Sequence, residues 1–205
     1  MSPALATPLR LGVFGGAFDP PHAAHRLLVQ SALDQLQLDA LWVFPTGHAW
    51  HKPRDLSPAQ HRIAMAELAF ANMPKVRVDP RETVRGGKSY TVDTLRELQA
   101  ELPRAALFLL IGQDQARALQ TWHAWDAVVQ IAMICVAQRI DCAGVADRFV
   151  APRGLEQRFL QLHFPVSQVS ATDIRARVAA GQCVVPLVCE AVARYIADHH
   201  LYQSA

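Results

Sequence analysis

The chain has 205 residues, 51% hydrophobic and 19% charged, enough to bury one sizeable core and slightly long for the commonest domain size. Twenty Lys and Arg stand against 18 Asp and Glu, a formal charge of +2 with no like-charge block of the kind that marks a nucleic-acid arm or a polybasic membrane anchor. No apolar run approaches the ~18 residues of a membrane span, and the first residues lack the pattern of a secretory signal. Cys135, Cys142, Cys183 and Cys189 have neither CxxC spacing nor the density of a disulfide scaffold, so they read as free thiols and the expected setting is cytoplasmic.

Short, nearly all-apolar runs recur along the chain: "LRLGVF" (9–14), "ALWVFP" (40–45), "KVRVD" (75–79), "ALFLLIG" (106–112) and "AMICVA" (132–137). Such runs suit strands covered on both faces, as in a parallel sheet. Helical signals fill most intervals. Leu28, Ala32 and Leu36 make one apolar stripe, and Leu95, Leu98 and Leu102 another. Ser57, Pro58 and Gln60 predict a helix N-terminus, with Ser57 as cap and the helix running to about Ala71, before Pro74. After Ala137 the strand rhythm weakens, and the last sixty or so residues read as mostly helical, with "SATDIRARVAAG" and "PLVCEAVARYIADHHLY" amphipathic. The expectation is a single domain over 1–205. It would have an α/β doubly wound, Rossmann-like parallel sheet at about 9–137 and a mostly helical C-terminal part at about 150–205, with ligands beyond the carboxyl ends of the strands.

The stretch "GVFGGAFDPPHAAH" (12–25) carries the first chemistry. Gly15 and Gly16 fall where the first strand turns into the first helix, so backbone amides there could approach a polyphosphate without a Cβ in the way. A simple tight turn explains the same pair. The spacing is neither GxGxxG nor GxxxxGK[ST], which removes the main warrant for a dinucleotide-binding dehydrogenase and for a P-loop NTPase. His22 and His25, three apart, share a face beside that turn. Zinc would need further ligands, and neither HExxH nor a cysteine pair accompanies them. Two imidazoles beside a phosphate turn can instead donate to phosphoryl oxygens as charge develops.

Further along, Asp114 follows the apolar run at 106–112, placed to accept from a ribose, order a magnesium-bound water or cap the next helix. Trp122, in a polar loop, is placed to stack on a heteroaromatic ring or to pack. Ser170 with Asp173 reads as an N-cap, and with Thr172 and Arg175 it offers amides, a hydroxyl and a guanidinium to phosphates.

"GGAFDPPHAAH" resembles the GG-x-FDP-x-H-x-GH signature of the nucleotidyltransferase α/β phosphodiesterase superfamily, and "VSATDIRARV" (169–178) resembles its second signature, I-S-x-T-x-IR. "SYTVDTL" (89–95), "IGQD" (111–114) and "TWHAW" (121–125) are similar to substrate motifs of the bacterial nicotinate-nucleotide adenylyltransferases, so the resemblance runs from Leu11 to Tyr202. Ala24 departs from the family glycine, and Ala49 and Trp50 replace prolines common before the His51–Lys52 pair.

The resemblance implies adenylyl transfer from ATP to nicotinate mononucleotide, with Mg²⁺ held through ATP phosphates and water, assisted at most by Asp114. It implies His22, His25, Lys52 and Arg175 as catalytic. ATP would meet Gly15, Gly16, Phe18, His22, His25, Gly112, Asp114, Ser170, Thr172 and Arg175, and the acceptor would meet Gly16, Thr46, His51, Lys52, Tyr90, Thr91, Trp122 and His123. A nicotinamide-mononucleotide or phosphopantetheine adenylyltransferase and a non-catalytic nucleotide-binding module are the alternatives. Partners are small-molecule substrates, with neither nucleic acid nor membrane, and a homo-oligomer is compatible with the sequence.

Overall fold

The computed structural model describes residues 7–47, 56–140, 149–165 and 169–203. Six parallel strands form one sheet in the order β3-β2-β1-β4-β5-β6. They are β1 (Arg10–Gly16), β2 (Ala40–Pro45), β3 (Val76–Val78), β4 (Ala106–Gly112), β5 (Ala132–Ile140) and β6 (Phe159–Pro165). Eight helices accompany them among the described residues: α1 (Ala23–Gln35), α2 (Ala59–Phe70), α3 (Arg81–Val84), α4 (Thr91–Glu101), α5 (Gln113–Ala118), α6 (Trp125–Ile131), α7 (Ala171–Ala179) and α8 (Glu190–Asp198). This is the doubly wound order, and its switch point lies between β1 and β4, where chain crossovers part to opposite faces and leave a crevice.

Side chains of one strand feed two cores. Leu107, Leu109 and Ile111 of β4 join Val92, Leu95 and Leu98 of α4 with Ala116 and Val128 on one face. Phe108 and Leu110 join Leu28 of α1, Met65 of α2, Ile174 of α7 and Val192 of α8 on the other. All of these are buried, so the near-continuous apolar runs are what two-sided cover demands.

Two expectations need correction. The stretch expected to be mostly helical contains α7 and α8, but also β6, which pairs in parallel with β5 from Ile134↔Phe159 to Ile140↔Pro165. β6 does not read as an all-apolar run because it alternates: Leu162 and Phe164 are buried, whereas Gln161 and His163 are exposed, as suits a strand at the sheet margin. The boundary drawn between 137 and 150 therefore falls between two neighbouring strands. The start of α2 also shifts by one residue. Pro58 is its N-cap, and Ser57 serves the adjacent loop, its N–H donating to Asp19 Oδ2 at 3.1 Å and its carbonyl accepting from Arg62 Nε at 2.9 Å.

Candidate active site

The carboxyl end of β1 runs through Gly15 and Gly16 into a loop that folds back on itself. Phe18 adopts a positive φ of 49° and turns its ring inward to 1% exposure, edge-on to Phe14 at 5.4 Å and to His25 at 5.1 Å. The ring of Phe18, a residue expected among the ATP contacts, lies in the core, where it braces His25. Ala17 O accepts from Arg62 Nη1 at 3.0 Å, and Arg62 itself is 2% exposed. Its signal was available in sequence: a cation on the stripe formed with Met65, Ala66, Ala69 and Phe70.

His22 is the N-cap of α1, with its ring stacked on that of His25 at a centroid distance of 3.8 Å. The backbone N–H of His22 donates to His25 Nδ1 at 3.1 Å. A backbone amide cannot reverse its role, so Nδ1 is the acceptor and the neutral ring carries its proton on Nε2. Fold and tautomer together fix an N–H donor on His25. The Ala23 N–H at the helix start donates to Leu187 O at 2.9 Å, so this end of α1 is partly occupied by the C-terminal part of the chain. Ala24, in place of the family glycine, is 9% exposed within an unbroken α1.

The second motif docks on the first. Ser170 caps α7 as expected, its Oγ accepting from Asp173 N at 3.1 Å and donating to Asp173 Oδ2 at 2.7 Å. Arg175, one turn in, donates from Nη1 to Asp19 O at 2.9 Å and from Nη2 to Thr172 Oγ1 at 3.1 Å, although 156 residues separate it from Asp19. Gly112 is the N-cap of α5, with its N–H donating to Gln115 Oε1 at 3.2 Å. Asp114 is therefore not the cap; its fully exposed carboxylate lies 3.6 Å from Arg117 Nη1.

On the β2 side, the Thr46 N–H donates to Gly16 O at 2.8 Å, which ties the two strand ends together. At Gly47 a Cβ would lie 2.0 Å from Glu82 O, so α3 can approach only a glycine. Ser89 Oγ donates to the same carbonyl at 3.0 Å, which leads the chain into Tyr90, the N-cap of α4, and Thr91. The Tyr90 ring lies 4.3 Å from that of His123. Tyr90 and Trp122 are half-buried against the same core cluster. Ala124 holds φ 50° to start α6, which gives the loop at 121–125 its sharp bend. His51 and Lys52 lie outside the described residues.

Among the described residues no three His, Cys, Asp or Glu side chains gather as a metal-ligating group, and no helix is long and apolar enough to cross a membrane. Burial pushes the Cys135 thiol up to about 12, so it is inert at neutral pH. The arrangement offers an anion a histidine N–H, the start of α7 and an arginine at one side of the crevice, and an aromatic-lined loop pair at the other.

A family model described as cytidylyltransferase-like matches residues 13–177. The chain is 59% identical, over 96% of its length and 99% of the relative's, to a probable nicotinate-nucleotide adenylyltransferase of Albidiferax ferrireducens. It is 42% identical to one of Methylibium petroleiphilum, over 94% of this chain and 92% of that one. Plasmodium falciparum nicotinic acid mononucleotide adenylyltransferase, solved in complexes with NaAD and with APC, has the same fold at 16% identity. Its TM-scores are 0.75 and 0.74, covering 94% of this chain and 97% and 96% of those.

Proposed function

The chain belongs to the cytidylyltransferase-like family and, within it, to the nicotinate-nucleotide adenylyltransferases; from that premise we propose that it transfers the adenylyl group of ATP to nicotinate mononucleotide, a step of NAD biosynthesis. A phosphate oxygen of the acceptor attacks the α-phosphorus of ATP, the bond to the bridging oxygen breaks, and pyrophosphate leaves with the electron pair. The nucleophile belongs to the substrate, so the protein's work is alignment and charge.

The observation that carries this reading is the Arg175–Asp19 hydrogen bond, which joins the two anion-binding segments beyond the sheet's carboxyl edge, near the switch point. His25 donates from Nε2 to the α-phosphate as its charge rises, His22 supports it from the stacked position, and Lys52 adds a cation. Gly15, Ser170, Thr172 and Arg175 hold the β and γ phosphates, while Gly112 and Asp114 serve the ribose. The acceptor's phosphate lies by Gly16, Thr46, His51 and Lys52. Its pyridine stacks on Trp122, with backbone N–H groups near Tyr90, Thr91 and His123 on its carboxylate. The exposed Asp114 carboxylate suits Mg²⁺, a cation that keeps most of its waters and is held chiefly by phosphates. When bound, Mg²⁺ supplies charge neutralisation between the two anions. The free thiols of Cys135, Cys183 and Cys189 support a reducing, cytoplasmic setting.

Pyrophosphate release from ATP, measured with nicotinate mononucleotide, nicotinamide mononucleotide and phosphopantetheine in turn, tests the assignment. Backbone donors mismatch the amide's NH₂ at roughly 1–3 kcal/mol each, so a preference for the acid of about 10²- to 10³-fold is expected from two such clashes. Equal use of acid and amide would sink the acid-specific assignment, and no release with any acceptor would favour a non-catalytic nucleotide-binding module.

A further inference from the structure

After α8 ends at Asp198, the chain turns back through two non-glycine residues in the left-handed region, His200 at φ 49° and Tyr202 at φ 63°. Leu201 N donates to Ile196 O at 3.0 Å, which closes the turn. Such conformations are disfavoured for residues with a Cβ and persist where surroundings impose them. The consequence of this turn is that Tyr202 OH donates to Asp19 Oδ1 at 2.6 Å, in the loop that follows β1 and 183 residues away in sequence. Asp19 is 2% exposed, and its other carboxylate oxygen accepts from Ser57 N at 3.1 Å. Its own backbone carbonyl is the group that holds Arg175. One residue therefore has its side chain fastened by the chain's C-terminal turn and its main chain fastened to the proposed phosphate-binding arginine, three positions before His22.

We propose that Tyr202 is a positioning residue for the ATP-phosphate loop, holding the segment 18–22 in the placement that Arg175 and the histidines require. The inference rests on the proposed adenylyl transfer for the identity of the anion. Burial, and then the neighbouring Asp19 carboxylate, hold the phenol's pKa well above the ordinary tyrosine value, so the hydroxyl is a donor at neutral pH. Packing alone does not require the hydroxyl: the Tyr202 ring lies against the core formed by α2 and α8, and phenylalanine would fill that space.

The test compares wild type, Tyr202→Phe and a control, Tyr195→Phe, whose hydroxyl lies 3.0 Å from His61 Nδ1 and not against the loop. Calorimetry measures binding of α,β-methylene-ATP and, separately, of nicotinate mononucleotide; thermal unfolding and pyrophosphate release are followed alongside. For Tyr202→Phe the expected result is analogue binding weakened about tenfold, the scale of losing one hydrogen bond to a charged group, with the acceptor's affinity unchanged. Tyr195→Phe is expected to leave both affinities as they are. Unchanged analogue binding in Tyr202→Phe, equal weakening of both ligands, or the same loss in Tyr195→Phe would overturn the positioning role. Wild-type turnover reads the reaction itself, so a wild type that binds the analogue but releases no pyrophosphate would defeat the proposed function while the binding comparison still decides this one.

Discussion

At Gly16 a methyl group would lie 2.9 Å from the end of the Phe18 ring, whereas at Gly15 it would meet nothing within 4 Å. The two glycines therefore do different jobs, one making room for the protein itself and the other leaving space at its surface. Gly16→Ala must displace a ring that is 1% exposed and wedged against Phe14, Phe70 and His25, so it is expected to cost about 1–3 kcal/mol and to lower turnover by moving His25. Gly15→Ala is expected to stay within ~0.5 kcal/mol of wild type yet raise the KM for ATP, since the added methyl would occupy the open space where the proposed function puts phosphate. Thermal melts with ATP titrations check both; a Gly15 variant with unchanged KM and a Gly16 variant with unchanged stability would refute the division. The pair of glycines was legible in the sequence as a strand-to-helix turn. Their separate roles were not, because they depend on Phe18 doubling back, a local conformation that no spacing rule reveals.

Among the described α-helices, α3 is the shortest, and it carries a buried acid. Glu82 is 8% exposed, its Oε1 accepting from Thr94 Oγ1 of α4 at 2.8 Å. Burial raises its carboxyl above the ordinary value of 4.5, and the bond from Thr94 and the charge of Arg85 only partly oppose this. The native state thus holds a proton that the unfolded chain has released over the interval above pH 4.5, and stability falls as pH rises through that interval. Glu82→Gln keeps the shape and removes the titration, so its melting temperature is expected to exceed the wild type's at neutral pH and to converge with it on acidification. A variant with the wild-type pH slope would show that Glu82 does not set it. Asp79, three residues earlier, has the reverse sign: burial alone would raise its carboxyl, but hydrogen bonds from Arg81 outweigh that and hold it low, and its contribution is lost as pH falls below 3.8. β1, β2, β4 and the body of β5 were legible as apolar runs covered on both faces. β6 was hidden by the same criterion, since Leu162 and Phe164 face a core while Gln161 and His163 face out.

Over the whole molecule, β6, α7 and α8 share one buried cluster with α1 and α2, and the loop after β1 is fastened by Arg62 of α2, Arg175 of α7 and Tyr202 beyond α8. The chain should therefore unfold as one cooperative unit, with calorimetric and van't Hoff enthalpies equal, and a fragment ending near residue 150 should not fold alone. Two resolved transitions, or a fragment with native near-ultraviolet dichroism, would contradict that. The residues proposed to meet substrates were marked from their motifs; the ties that hold those motifs together, Asp19 above all, join positions far apart in sequence and become visible only when the chain is folded. One such long-range tie has a bearing on solubility. Gln35, at the end of α1, lays its side-chain amide along β6, with Nε2 donating to His163 O and Oε1 accepting from His163 N at 3.1 Å. That amide imitates a neighbouring strand's peptide group and occupies a rung that another copy could use to extend the sheet. The opposite margin, β3, offers only three residues with the charged Arg77 at their centre. Both margins are thereby poor templates for chain-to-chain sheet growth, a protection against aggregation built from one glutamine and one short strand.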